Sequence, residues 1–182
     1  MEAIIFGSGP TRNLIKEVPD SIFTVSCNLS FPNSRLIFAQ DEPIIDKIVK
    51  EHIEGFNTQI IFTPLRAYER YADSGRLLLI DEDKLFPRTQ GLSTGILAIG
   101  TLLKLGFTKL YLCGFSFDKV GGTIEKLTTV FTSLEGEINK TYFTKLYCIV
   151  EKPLLLEPPT PNFITKEAFY NGHGKIKRAT GD

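Results

Sequence analysis

The stretch Ser93–Phe115 leaves this chain little freedom of fold. Ser93 or Thr94 can cap a helix whose apolar positions are Ile96, Leu97, Ile99, Leu102, Leu103 and Leu105, and Gly106 stands where a helix-ending glycine stands. Lys109–Cys113 (KLYLC) is then a buried strand ending at Gly114-Phe115. A helix leading directly into a buried strand is half of a parallel crossover unit, and the same alternation runs through the chain. Ala3–Phe6 is a strand running into Gly7-Ser8-Gly9-Pro10, and Thr11–Glu17 can begin a helix. Ser21–Ser26, Leu36–Ala39, Thr58–Phe62 and Arg76–Ile80 read as strands. Pro43–Ile53 carries a helical stripe, and Leu65–Ala72 a short helix. Thr123–Tyr142 is a further helical stripe, and Lys145–Val150 (KLYCIV) reads as the last strand. The reading is α/β: one Rossmann-like domain over 1–152 with a mostly parallel sheet flanked by helices, followed by a Pro-rich extended tail over 153–182 that ends in a mobile segment from His173.

Composition agrees with a single core. A chain of 182 residues should bury about 70% of its unfolded surface. With 42% hydrophobic and 23% charged residues it is neither a disordered tail, a collagen nor a coiled coil. Its 21 basic and 21 acidic residues cancel, so no bulk charge draws it onto nucleic acid or an anionic membrane. No apolar run approaches the roughly 18 residues of a membrane span, and MEAIIFGSGP has no basic region before its apolar residues. A cytoplasmic location without stable membrane association is expected. Cys27, Cys113 and Cys148 form no CxxC pair and sit in apolar runs, as buried reduced thiols do.

Three places can carry chemistry. Gly7–Thr11 (GSGPT) joins a buried strand to a helix start, where backbone N–H groups can approach a phosphate. It is neither GxGxxG nor a Walker loop, and a tight turn alone would account for it. Ser93-Thr94-Gly95 offers hydroxyls at a helix start, which can cap the helix or hold an anion or ribose. Gly114-Phe115-Ser116-Phe117-Asp118 follows a strand, where its aromatics can stack on a base and Asp118 can accept a proton, or where the phenylalanines simply plug the loop. If these loops share one sheet edge, they converge on one crevice, because open parallel sheets bind ligands at the carboxyl ends of their strands. Asp81-Glu82-Asp83 reads as a solvated turn, and His52, after an apolar stripe, as a packing residue.

IIFGSGPT followed by a strand closing on Cys27-Asn28 resembles the opening of sialyltransferases. GLSTGILAIGTLLKLGFTKLYLCGFSFD resembles their STG, helix, strand and closing GF motif, and KLYCIV is similar to the terminal strand of the bacterial members. The resemblance covers about a third of the chain, in the same order. It implies a GT-A-variant, sialyltransferase-like glycosyltransferase that uses a CMP- or UDP-linked nucleotide-sugar as co-substrate, with no other cofactor and no metal. Gly7, Ser8, Gly9, Pro10, Thr11 and Asn28 would then meet the nucleotide, together with Ser93, Thr94, Gly95, Gly114 and Phe115. The family's histidine base should lie between the GF strand end and the last strand, yet 118–145 holds no histidine. Asp118, Asp41 and His173 are the remaining candidates, although Asp41 also suits the cap of the helix at Pro43. The acceptor would be a glycan or a hydroxymethylated base in phage DNA, the latter suggested by the small basic tail of His173, Lys175, Lys177 and Arg178. The rival is an inactive nucleotide-binding module of the same fold; a nucleotide hydrolase would need an acid cluster beyond Asp118.

Overall fold

The central apolar runs form strands here because they are buried on both faces. The computed structural model describes residues 1–28, 34–50, 60–71, 73, 77–80, 92–115, 127, 140–152 and 160–173. Its strands are β1 (Glu2–Phe6), β2 (Phe23–Cys27), β3 (Leu36–Phe38), β4 (Ile60–Thr63), β5 (Leu77–Leu79), β6 (Lys109–Cys113), β7 (Leu146–Ile149) and β8 (Asn162–Ile164). They form one sheet in the order β5-β4-β3-β2-β1-β6-β7-β8, and every neighbouring pair is parallel. The chain winds outward from β1 to β5, then returns to β1's other side for β6. The connections reverse direction between β1 and β6, and such a switch point opens a crevice at the strands' carboxyl ends.

The helices are α1 (Glu42–Ile48), α2 (Leu65–Arg70), α3 (Thr94–Lys104) and α4 (Lys166–Gly172). Helix α3 covers one face: Ile96, Leu97, Ile99 and Leu102 pack with Ala3, Ile5, Val25, Leu36 and Phe38, the residues whose side chains alternate to that side. It ends in a Schellman turn. Gly106 at φ +94° lets its own N–H reach Leu103 O and that of Phe107 reach Leu102 O, while Phe107 is buried beside the helix end. On the other face Ile4, Phe6, Tyr111, Cys113 and Ile149 pack with Ile15 and with Phe169 of α4, and Ile37 and Ala39 pack with Ile45 and Ile48 of α1. The α/β reading with a parallel sheet is the observed architecture.

Three details differ from the sequence reading. Thr11–Glu17 does not start an α-helix. Pro10–Leu14 is one 3-10 turn, and the chain is already extended at Ile15, which buries its side chain in the core. Helix α1 ends at Ile48, and 49–50 widen into a π turn; residues 51–53 of the expected helix, with His52, lie outside the described residues. Lys145–Val150 is not the last strand: β8 pairs with β7, and Thr165 caps α4 by accepting a hydrogen bond from the Ala168 N–H. Asn162–Ile164 therefore belongs to the same sheet as the strands before it, and α4 packs on that sheet through Phe169. A three-residue strand has no periodicity to announce it, and its ladder hydrogen bonds come from β7. Of the expected helix Thr123–Tyr142 only Leu127, which is buried, and 140–142 are described.

Candidate functional site

The register of β1 sets the site. Phe6 lies opposite Ser26 of β2 and Cys113 of β6, so the loops after these strands leave the same edge together. The two glycine loops are locked face to face. The Gly7 N–H donates to Cys113 O at 2.7 Å and the Gly9 N–H to Gly114 O at 2.8 Å. The Gly114 N–H donates to Thr11 Oγ1 at 2.9 Å. Gly114 itself adopts φ +83°, which favours glycine. A Cβ on Gly7 or Gly9 would stand 2.6 or 2.7 Å from Gly114 O. These glycines therefore serve loop-to-loop contact. The expectation that they leave amides and space for a phosphate changes accordingly: the N–H groups of Gly7, Gly9 and Gly114 are already engaged. Ser8, at the crest of the loop, is exposed.

The start of α3 arrives at the same place. The Phe115 ring lies so close to Gly95 that a Cβ there would stand 2.6 Å from it. The Thr94 hydroxyl donates to Gln40 Oε1 at 3.0 Å, tying the helix start to the end of β3. Ser93 occupies the cap position with extended backbone, but its side chain makes no capping bond. Asn28, at the end of β2, adopts φ +63° and donates its N–H to Phe38 O. Its Oδ1 is buried and has no hydrogen-bond partner among the described residues.

Beneath the loop, Arg12 donates from Nη1 to Gly7 O at 3.0 Å, and its guanidinium lies 5.8 Å from the Phe6 ring centre. Burial holds its pKa below the ordinary value, against the pull of the Cys113 and Cys27 thiols. All three cysteines are free and buried. Burial pushes each thiol up to about 12, so none is a thiolate nucleophile at neutral pH. Cys113 Sγ instead donates to Thr11 O at 3.1 Å, and Cys148 Sγ lies 3.8 Å from Phe115 O.

The structure thus brings together Gly7, Ser8, Gly9, Pro10, Thr11, Asn28, Ser93, Thr94, Gly95, Gly114 and Phe115 at one edge. Asp41 lies just beyond Gln40, at the cap position of α1, with its side chain making no capping bond. Asp118 lies outside the described residues, as does Asp81-Glu82-Asp83. His173 is at the opposite end of the sheet. Its Nδ1 donates to Phe169 O at 2.6 Å, and Nε2 meets Glu2 Oε2 at 2.9 Å, at the amino end of β1. A five-residue strand, about 13 Å of rise, separates it from the glycine loop. Helix α4 holds it there, so it does not fold over the crevice. Sequence reasoning missed Gln40 and Arg12. The only signal for either was a polar residue just past a strand end or glycine loop. Among the described residues no group of three His, Cys, Asp or Glu could hold a metal ion, and no helix is long and apolar enough to cross a membrane.

The sheet order and the convergent loops define an open parallel α/β sheet with its loops gathered at a switch point, and solved structures narrow the fold further. The sialyltransferase CstII from Campylobacter jejuni, in complex with the substrate analogue cytidine-5′-monophosphate, superposes with a TM-score of 0.51 at 18% identity, covering 81% of this chain and 78% of that one. A mutant of the alpha-2,3/8-sialyltransferase CstII gives 0.50 at 19% identity, covering 81% of each chain. No protein-family model matches the sequence, and no curated protein matches it. The likeness is one of fold: the chain has a sialyltransferase-like α/β fold.

Proposed function

We propose that this chain is a glycosyltransferase that moves a sugar from a cytidine-nucleotide donor to an acceptor hydroxyl. The observation that carries the reading is the convergence of the β1 loop, Asn28, the start of α3 and the β6 loop on one edge at the switch point of a sialyltransferase-like sheet. The buried Oδ1 of Asn28, which has no hydrogen-bond partner among the described residues, supports it. Such an acceptor costs about 1–3 kcal/mol while unsatisfied, and a ligand N–H or O–H would satisfy it. The first turn of α3, with no side-chain cap, offers amides and a favourable dipole to an anionic group. The neighbour with cytidine-5′-monophosphate bound shares the fold and suggests the base to test first.

In this reading the acceptor oxygen attacks the anomeric carbon as the bond to the nucleotide phosphate breaks, and a carboxylate takes the acceptor proton. Asp118 is the first candidate base and Asp41 the second. The donor is held without a metal ion. The test is thermal stabilisation by CMP, CMP-sugars and UDP-sugars, with and without EDTA. A ligand at a hundredfold its Kd should add about 2.7 kcal/mol of stability. Turnover is then assayed with oligosaccharide and hydroxymethylated DNA acceptors in parallel. No stabilisation by any nucleotide would refute the reading. Donor binding without turnover on any acceptor would favour an inactive module.

A further inference from the structure

Resting on that functional reading, we propose that Phe115 is the platform on which the base of the nucleotide stacks. The ring belongs to the β6 loop but reaches two other arms of the edge. A Cβ on Gly95 would stand 2.6 Å from its Cε1 and 3.2 Å from its Cζ, and a Cβ on Gly7 would stand 3.2 Å from its Cε2. The outer end of the ring is therefore wedged between the start of α3 and the β1 loop. It fits there because neither facing residue has a side chain. The backbone that carries it is pinned as well. The Gly114 N–H donates to Thr11 Oγ1, Gly114 O accepts from the Gly9 N–H, and Cys148 Sγ donates to Phe115 O at 3.8 Å.

Phe115 packs against the core that α3 forms with the sheet, yet it is only half-buried. Phe107, at the other end of α3, is buried outright. Phe115 is also the first side chain beyond the β6 strand end at the switch point, where an open parallel sheet takes its ligand. A planar group entering between the β1 and β6 loops meets this ring. Every base has a π-face, so stacking needs no hydrogen-bond donor, which suits an edge whose glycine amides are already engaged. A ring fixed before binding also loses little freedom when the ligand arrives.

The test titrates CMP, UMP, AMP and GMP by calorimetry. For the nucleotide that binds wild type best, Phe115→Leu keeps an apolar side chain without a π-face and should lose about fivefold or more in affinity. Phe115→Tyr keeps the face and should stay within about threefold of wild type. Contact is read separately, because a merely structural role would also weaken binding. The chain has no tryptophan, so Phe115→Trp introduces a single reporter, whose fluorescence the stacked base should quench along the calorimetric isotherm. If that variant does not fold, wild-type protein saturated with the nucleotide should show nuclear Overhauser contacts from a phenylalanine ring to the base protons that Phe115→Leu lacks. Undiminished affinity in Phe115→Leu, or binding without quenching and without those contacts, overturns the platform and leaves the proposed function standing. A wild type that binds none of the four nucleotides overturns both.

Discussion

Gly9→Ala should damage the switch point while adding one methyl group. The new Cβ would stand 2.7 Å from Gly114 O and 3.0 Å from Gly114 C, both backbone atoms. Gly9 has φ −69°, a value alanine adopts freely, so the cost is steric only. No side chain can rotate away. The loops must part by roughly half an ångström or more, against the 2.8 Å bond from Gly9 N–H to Gly114 O and the 2.7 Å bond from Gly7 N–H to Cys113 O. Overpacking of this kind costs about 1–3 kcal/mol, and weakening one buried hydrogen bond adds about 1 kcal/mol. The sum is about 2–4 kcal/mol, or roughly 4–16 °C in Tm for a chain of this size. Urea unfolding at equilibrium measures it. Gly172→Ala is the control, since nothing lies within 4 Å of its added Cβ, and it should not destabilise. Gly9→Val should be worse still, so lost nucleotide binding in that variant would report a disrupted junction rather than a blocked phosphate. A Gly9→Ala protein within about 0.5 kcal/mol of wild type would show that the loops are pliable and that the contact with Gly114 O is not what holds them.

The buried thiols should resist a disulfide reagent in the native protein and react fully in urea; rapid native labelling of Cys113 would contradict its place beneath Thr11 O. The Tyr71 hydroxyl and Arg70 hold the Asp46 carboxylate below its usual range, Tyr71 most strongly. A depressed carboxylate stabilises above its unfolded value near about 3.9 and loses that contribution as pH falls through the folded value. Tyr71→Phe should therefore flatten the fall in Tm between about pH 5 and pH 3, and an unaltered acid profile would count against the clamp. In the transfer assay Asp118→Asn should lower kcat by about 10²–10⁴ with donor affinity kept, as a lost base does. Asp41→Asn tests the second candidate, and its collapse beside an active Asp118→Asn would reassign the base. His173→Ala should lose about 1–3 kcal/mol of stability through its bond to Phe169 O yet keep kcat, because it sits at the far end of β1. Loss of kcat in that folded variant would show that the sheet edge is not where turnover occurs.

Local patterning was enough for the elements whose contacts are local. The apolar period of Ile96–Leu103, the stop at Gly106 and the run KLYLC each depend on contacts within a few residues, so the helix, its end and the following strand were legible without tertiary information. The same holds for Gly7–Thr11 and Ser93–Gly95 as candidates, because a glycine loop after a strand and hydroxyls before a helix are local signatures. What those residues do together depends on contacts between distant segments. The pairing of β1 with both β2 and β6 put three loops on one edge, and it also used the glycine amides that a phosphate was expected to take. Strand β8 exists because β7 offers a ladder. Helix α4 carries His173 away from the crevice, a placement set by Phe169 and His173 packing on Tyr111 of β6, far from both in the chain. Contacts between residues a hundred positions apart, such as Thr11 with Gly114, leave no mark in either segment's periodicity, and the site is built from such contacts.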